Sequence, residues 1–327
     1  MKTLEKNFPL IISLLALAIA IGYVRYTNER MRELLMQPGS MQRIEQGRMA
    51  PADLDASTLQ PLPAISFDLP EKLSFAGEEV PMDMPDVRER LDKELHINTY
   101  WHNNTIFLIK RANRWLPQIQ EILRKHNIPD DFKYLPLVET GLLNDVSPKQ
   151  AVGFWQILKS SGKELGLEIN GEVDERYDPL KATEAACKYI LKAKEKFGSW
   201  TLVAASYNRG MSGLERAIDN QKVNTYYDLF LNEETSRYVF RILACKQIIE
   251  KPARYGFVIN KRHLYQPEPV KYITVSTTIS DLVDFAKDQG INYKLLKRHN
   301  PWLRDDRLTV RKGNSYRIAI PVSPGEL

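Results

Sequence analysis

The sequence is poor in cysteine and histidine, the residues on which disulfide scaffolds and most transition-metal sites depend. Its 327 residues include two cysteines, Cys187 and Cys245, and five histidines. Neither set shows the number or spacing of a disulfide framework or a metal motif, so we predict no metal ligands. Both cysteines lie in apolar stretches of predicted helices, which leaves two states open: buried free thiols, or a disulfide between the helices.

The sequence also lacks a large excess of charge of either sign. Lys and Arg number 46 and Asp and Glu 41, a formal net charge of +5 at pH 7, and the two signs are interspersed. Nucleic-acid binders concentrate positive charge to meet the phosphates, so we predict no nucleic-acid partner. With 43% hydrophobic and 27% charged residues, the composition is that of a folded protein of about two domains. We expect a monomer.

Only one long apolar run occurs, FPLIISLLALAIAIGYV at residues 8–24, with Lys6 before it and Arg25 after it. Seventeen helical residues span ~26 Å, slightly less than a hydrocarbon core of ~30 Å. A retained membrane anchor, a cleaved signal peptide and a buried core helix are the open interpretations. We assign residues 1–25 to a signal peptide or membrane anchor, and either form sends the rest of the chain out of the cytoplasm.

Proline is concentrated in the segment that follows. Seven of the nineteen prolines lie between residues 25 and 85, and helical periodicity fades there. This composition predicts a Pro-rich tether over residues 26–85. Its last part has enough apolar residues that packing on the following domain is the alternative; these are Phe67, Leu69, Leu73, Phe75 and Val80.

Helical periodicity then dominates residues 86–262, and no stretch of comparable length alternates with period two. Asp178-Pro179 is typical of a helix start, because Asp accepts hydrogen bonds from free N–H groups and Pro has its φ angle already set. Gly198 is typical of the end of the same helix. The sequence therefore predicts an almost entirely α-helical body.

Four short segments of the body stand out, and the first is YLPLVETG at residues 134–141, where Glu139 follows an apolar run. Burial at such a position raises the pKa of a carboxyl group and keeps it protonated near neutrality. A protonated carboxyl group can donate its proton to the oxygen of a glycosidic bond as that bond breaks. For Glu139 considered alone, a solvated helix end is the plainer interpretation and stays open.

Three further segments stand out together with the first. They are AVGFWQ at 151–156, AASYNRG at 204–210 and ETSRYV at 234–239. In the first, Gly153 permits the close approach of another chain, the two aromatic rings offer a stacking face, and Gln156 can both donate and accept hydrogen bonds. Taken singly, the three segments are also typical of a core aromatic pair, a helix C-cap and a helix start.

In this order the four segments resemble the lysozyme-like soluble lytic transglycosylase (SLT) domain family, whose usual blocks are ES, GLWQ, AYNAG and ETxxYV. The resemblance covers residues 86–262. It implies a mainly α fold with a lysozyme-like helical catalytic domain, and neither metal nor cofactor. The chain departs from the pattern at Thr140, where Ser is usual, and at Phe154, where Leu is usual, but no required chemical group is lost.

The resemblance also implies roles for individual residues. Glu139 is the implied single catalytic acid and base, in a reaction that cleaves the β-1,4 bond between N-acetylmuramic acid (MurNAc) and N-acetylglucosamine (GlcNAc) of peptidoglycan and forms 1,6-anhydro-MurNAc ends. The residues expected to bind substrate are Thr140, Gly153, Phe154, Gln156, Tyr207, Asn208 and Tyr238. Arg209 has two open interpretations, a contact with an acidic peptide stem and a solvated helix end.

Near the C-terminus two strand-like segments, 271–275 and 316–320, flank two short predicted helices. This β-α-α-β order, assigned to residues 266–327, resembles a divergent lysin-motif (LysM) module. Asn300-Pro301 matches the Asn-Pro of that family, whereas its usual Gly-Asp-Thr-Leu is absent. Glycan binding and a structural module packed on the catalytic body both stay open.

Three functions compete at this point. They are a lytic transglycosylase for cell-wall remodelling, a hydrolytic muramidase on the same fold, and a catalytically silent peptidoglycan-binding protein. Retention of Glu139, Gln156, Tyr207 and Asn208 favours an enzyme. The implied partners are peptidoglycan glycan strands and, through the N-terminal segment, a membrane. The implied location is the periplasmic side of a Gram-negative envelope, either anchored in the membrane or secreted.

Overall fold

Helices make up most of residues 66–322, the part of the chain that the computed structural model describes. This confirms the predicted mainly α fold class. The predicted segment 1–25 and most of the predicted tether lie outside the described residues. The α-helices of the described part are α1 (Pro85–Tyr100), α2 (His102–Lys125), α3 (Leu135–Thr140), α4 (Lys159–Glu164), α5 (Pro179–Phe197), α6 (Trp200–Arg209), α7 (Met211–Gln221), α8 (Glu233–Glu250), α9 (Leu282–Asp288) and α10 (Tyr293–His299), and short 3-10 helices connect some of them.

The local signals for helix α5 act as the sequence predicts. The Asp178 carboxylate accepts hydrogen bonds from the backbone N–H groups of Leu180 and Lys181, at 2.9 and 3.1 Å. The helix ends at Gly198, which has a left-handed φ of 71°. Pro117 suits the first turn of a helix, so the sequence also predicts a new helix there. That prediction is wrong, because Pro117 lies inside α2. An interior proline is tolerated there because buried residues before and after it, including Leu116 and Ile119, hold both halves in one core.

Helix α8 is the central helix of the body. It packs against α1, α3 and α6, and Val239, Ile242 and Leu243 on it are fully buried. A helix that is apolar on most sides is expected only in the interior of a domain. Side chains on α8 therefore have fixed positions, and Tyr238 is one of them.

A short hairpin precedes the helices and packs on them. Strands β1 (Ser74–Phe75) and β2 (Glu78–Glu79) pair antiparallel. Phe75 is fully buried, with its ring centroid 5.3 Å from that of Phe132. Residues 66–84 thus pack on the body, and this is the second of the two alternatives that the sequence left open for the last part of the tether. They pack there because burial removes their apolar side chains from water.

The C-terminal module has the predicted β-α-α-β order. Strands β3 (Val270–Val275) and β4 (Tyr316–Pro321) pair antiparallel, and α9 and α10 lie between them in the chain. The module has a small core of its own, to which Val173 of the body contributes a fully buried side chain. A β-bridge joins Val173 to Leu303, and residues 66–322 form one compact unit.

Both cysteines are buried free thiols in the structure. Burial raises the pKa of each thiol to about 12. Among the described residues, no helix is both long enough and apolar enough to cross a membrane. The apolar run at residues 8–24 lies outside that part of the chain.

Candidate active site

Glu139 lies in the last turn of α3, a helix of six residues. The apolar residues ahead of it, Leu135 and Leu137, are buried in the core and fix the helix there. Gly141 ends the helix with a left-handed φ of 62°, a conformation that glycine adopts without strain. The sequence therefore places a half-buried carboxylate at the point where a short, anchored helix stops.

The environment of Glu139 moves its pKa upward, to about 6. Burial is the main cause, and the nearby Glu234 carboxylate acts in the same direction. The Tyr238 hydroxyl donates a hydrogen bond of 2.5 Å to Glu139 Oε1, and the positive charge of Arg241 lies nearby; both oppose the rise. Burial also raises the pKa of Tyr238 well above its usual value, so its hydroxyl stays a donor. The carboxyl group can therefore exchange a proton near neutral pH.

Two arginines that the sequence analysis did not single out hold the backbone on either side of Glu139. Arg241 donates from Nη2 to the carbonyl oxygen of Val138 at 2.9 Å. Arg111 donates from Nε to the carbonyl oxygen of Gly141 at 2.5 Å. Arg241 follows Tyr238 by three positions, a spacing that puts both on one face of α8 and could have identified it. Arg111 lies on α2, and no local sequence signal connects it to this site.

Thr140 connects helix α3 to the loop at residues 151–157. Its hydroxyl lies 3.4 Å from the carbonyl oxygens of Pro136 and Phe154, and it accepts a hydrogen bond of 3.3 Å from the Leu143 N–H. The hydroxyl that Ser usually supplies at this position is thus present and in contact with the neighbouring loop.

The same loop is shaped by Gly153 and Gln156. A Cβ atom on Gly153 would lie 2.1 Å from the backbone oxygen of Arg176, so the close approach at this glycine is made by the chain itself. Gln156 donates from Nε2 to the carbonyl oxygens of Gly153 and Asp145, at 3.0 and 3.1 Å. Phe154 is buried and packs edge-on against another aromatic ring, that of Trp115.

Tyr207 and Asn208, at the end of α6, hold the elements around Glu139. The Tyr207 hydroxyl donates to the carbonyl oxygen of Trp155 at 2.7 Å. The Asn208 side chain donates to Glu234 at 3.0 Å and accepts from the Thr235 hydroxyl at 2.8 Å. Of the predicted site residues, Tyr238 is thus the one that forms a hydrogen bond with the Glu139 carboxyl group. Thr140, Tyr207 and Asn208 tie its neighbours together, and Gln156 faces the loop backbone.

Two cavities adjoin this centre. A groove of about 550 Å³ between α1 and α8 is lined by Glu234 and Arg241 among others. This groove, the α1–α8 groove, also contains an ion pair, in which Arg237 Nε lies 2.5 Å from the buried Glu94 carboxylate. A second cavity of about 610 Å³, the body–module cleft, is lined on one side by α2 and residues 142–154 and on the other by the C-terminal module.

Two family models match the amino-acid sequence of this chain. Residues 118–230 match the Transglycosylase SLT domain, a stretch that contains Glu139 and Tyr207. Residues 271–324 match the Soluble lytic transglycosylase C-terminal LysM-like domain. Residues 118–230 therefore carry a transglycosylase SLT domain, which supports the predicted resemblance, and a LysM-like domain follows at residues 271–324.

The chain is similar in sequence to membrane-bound lytic murein transglycosylase D of Escherichia coli (strain K12), with 28% identity over 257 residues. The same figures apply to the protein of that name from E. coli O6:H1. The match covers 76% of this chain and 55% of the relative, so the chain spans about half the length of the curated relatives it matches. A solved structure of an inactive mutant of the lytic transglycosylase Slt from Pseudomonas aeruginosa aligns with a TM-score of 0.38 and 14% identity, over 56% of this chain and 31% of that one.

Proposed function

We propose that this protein is a peptidoglycan lytic transglycosylase that cleaves the MurNAc–GlcNAc β-1,4 bond and leaves 1,6-anhydro-MurNAc ends, in cell-wall remodelling. The observation that carries the proposal is the environment of Glu139. Its carboxyl group is half-buried, its pKa is raised to about 6, and it accepts a hydrogen bond from Tyr238. The match of residues 118–230 to the SLT domain model and the similarity to a murein transglycosylase also support this assignment.

In the proposed reaction Glu139 acts first as an acid and then as a base. It protonates the oxygen between the two sugars as that bond breaks, and positive charge develops at the anomeric carbon of MurNAc. The Tyr238 hydroxyl and Arg241 stabilise the carboxylate once the proton has left. The carboxylate then removes the proton of the muramoyl C6 hydroxyl, whose oxygen attacks the anomeric carbon and closes the anhydro ring.

Substitution of Glu139 tests this assignment. We expect Glu139→Gln to lower the rate of murein release at least about a hundredfold, because the amide cannot supply the proton. The matched control is Glu164→Gln, which changes an exposed carboxylate on α4 and should leave the rate unchanged. Release at the wild-type rate by Glu139→Gln would show that another group is the acid.

The products distinguish the two enzymatic alternatives. Attack by the C6 hydroxyl yields muropeptides lighter by one water than those from hydrolysis, and mass spectrometry of the digest separates them. Products with reducing MurNAc ends would favour the hydrolytic muramidase. An inert wild-type protein that still binds murein would favour the catalytically silent binding protein.

We further propose a location on the periplasmic side of the envelope, with residues 1–25 as membrane anchor or signal peptide. The apolar run at 8–24 and the membrane-bound relatives support this proposal. The proposed catalytic domain covers residues 86–262, and the module at 266–327 is its proposed glycan-binding partner. Peptidoglycan strands are the proposed substrate of a monomeric enzyme.

A further inference from the structure

The body–module cleft has an unbalanced set of charged side chains. Five basic side chains line it: Arg111, Arg114, Lys181, Arg298 and Arg317. Only two acidic side chains line the same cavity, Asp178 and Glu268. A concave surface with an excess of one sign of charge concentrates ligands of the opposite sign.

The two acidic groups are already engaged. The Glu268 carboxylate lies 3.1 Å from Arg114 and 3.3 Å from His299, and it also pairs with Arg298. Asp178 accepts backbone hydrogen bonds at the start of α5. Lys181 pairs with Glu175, which does not line the cleft. The positive charge of the cleft is therefore only partly offset by the protein's own carboxylates.

Two of the arginines have no ion-pair partner among the described residues, although the more distant Asp145 carboxylate acts electrostatically on Arg111. Within residues 66–322, neither Arg111 nor Arg317 has a carboxylate oxygen within 4.0 Å. Arg317 is exposed on β4, and its guanidinium lies 4.4 Å from the ring centroid of Tyr272. Ile273 and Ile318 of the same strand pair point into the module core. Because side chains alternate along a strand, Tyr272 and Arg317 are on the opposite face of the sheet, which lines the cleft.

The two walls of the cleft are fixed relative to each other. On one side Glu172 accepts hydrogen bonds from the N–H and hydroxyl of Thr309, and Val173 is buried in the module core. On the other side Glu268 joins Arg114 of α2 to the end of α10. The cleft is thus preformed, which lowers the entropy cost of binding.

The cleft also reaches the segment that carries Glu139. Leu142 and Phe154 are among its lining residues. Arg111 bonds the carbonyl oxygen of Gly141, two residues beyond Glu139. A ligand that fills the cleft therefore extends from the neighbourhood of the proposed acid to the C-terminal module.

We propose that the body–module cleft binds the carboxylate-bearing peptide stem of the peptidoglycan strand that is being cut, with Arg317 as a specificity-determining residue. The inference rests on the proposed function, which supplies the polymer. Peptide stems hang from the muramoyl groups and carry several carboxylates, and guanidinium groups bind carboxylates through paired, charge-assisted hydrogen bonds. The sugars then occupy the region of Glu139 and the stem occupies the cleft.

The test measures binding without turnover. In the full chain with Glu139→Gln, titration calorimetry gives the affinity for a disaccharide-tetrapeptide muropeptide and for the same disaccharide without its peptide. We expect addition of Arg317→Gln to weaken muropeptide binding roughly tenfold, because one charge-assisted contact is lost. Binding of the peptide-free disaccharide should not change. The matched control is Arg311→Gln, which changes an exposed arginine of the same module outside the cleft.

Three results would overturn the proposal. One is equal affinity of the Glu139→Gln protein for the two ligands. Another is an equal loss of both affinities on Arg317→Gln, and the third is an equal effect of Arg311→Gln. Melting temperatures of the variants check that each is folded. No bond is cleaved in this binding experiment, so its failure would not bear on Glu139, whose role is tested by murein release. Failure of the murein-release test would likewise not decide whether the cleft binds the peptide stem.

Discussion

At the scale of single residues, the proton affinity of Glu139 is a balance of opposing influences. Burial raises its pKa, and the Tyr238 hydroxyl and Arg241 lower it, with a result of about 6. A much lower value would leave no proton to donate at neutral pH, and a much higher one would make a poor base. Tyr238 therefore acts as a positioning and tuning residue for the proposed acid.

This balance predicts the pH dependence of the Tyr238→Phe variant. The proposed mechanism requires protonated Glu139, so kcat/KM of the wild-type protein should fall as pH rises above about 6. Removal of the hydroxyl takes away a hydrogen bond that favours the carboxylate, so the pKa of Glu139 rises. We expect the alkaline limb of the profile to move upward by about one pH unit.

The measurement is kcat/KM for murein digestion across the pH range, with Tyr293→Phe in the C-terminal module as control. The control should reproduce the wild-type profile. An alkaline limb that stays in place or moves to lower pH in Tyr238→Phe would contradict the proposed role of the hydroxyl.

At the scale of secondary-structure elements, the N-terminal hairpin supports the helix that carries Tyr207 and Asn208. Glu78 of β2 accepts hydrogen bonds from the Trp200 N–H at 2.6 Å and the Thr201 N–H at 2.9 Å. It also accepts from the hydroxyls of Ser199 and Thr201. A carboxylate at this place satisfies free N–H groups and interacts favourably with the helix dipole. A segment outside the predicted catalytic domain thus caps α6.

We expect Glu78→Gln to lower the free energy of unfolding by about 1–2 kcal/mol, because one end of the amide is a donor that faces other donors. Urea denaturation measures this change. The matched control is Glu79→Gln, the exposed neighbour, which should change stability by less than about 0.5 kcal/mol. Equal stability of the two variants would mean that Glu78 does not cap α6.

The contribution of Glu78 should also depend on pH. Burial raises the pKa of Glu78, but the hydrogen bonds from Thr201, Trp200 and Ser199 outweigh it and leave the pKa below the usual 4.5. Because the folded-state pKa of Glu78 is lowered, its stabilisation is fully present above the unfolded-state pKa. The stabilisation is lost as the pH falls from that value through the folded-state pKa. The difference between wild type and Glu78→Gln should therefore shrink in acid.

The ends of helix α5 could be predicted from the sequence, whereas the continuity of helix α2 could not. The start and end of α5 follow from Asp178, Pro179 and Gly198, because capping depends on residues adjacent in the chain. The continuity of α2 through Pro117 was not predicted, since it depends on packing of the helix against distant parts of the core. Local signals fix where a helix can begin, and burial decides whether it does.

At the scale of the whole molecule, Val173 connects the helical body to the C-terminal module. It belongs to the body segment between α4 and α5, yet its side chain is fully buried in the module core and its backbone pairs with Leu303. The Asp174 N–H also donates to the carbonyl oxygen of Trp302 at 2.9 Å. The module is therefore stabilised in part by a residue outside it.

We expect Val173→Ala to lower the stability of the module by about 2 kcal/mol, through lost apolar contacts and a residual cavity. Hydrogen exchange read by mass spectrometry should become faster in β3 and β4. The control is Val283→Ala on α9, where the side chain is 37% exposed and the change should be small. Unchanged exchange in both strands would show that the body does not stabilise the module through Val173.

The sequence by itself determined the helical body, the order of the C-terminal module, and Glu139 as the candidate acid, because periodicity, capping and short motifs are properties of neighbouring residues. Only the tertiary structure decided what surrounds Glu139: Tyr238 lies 99 positions away along the chain, and Arg111 lies on another helix. It also decided that the body and the module enclose a basic cleft. Burial and charge act through distances in space, and these are set by packing of segments far apart in sequence.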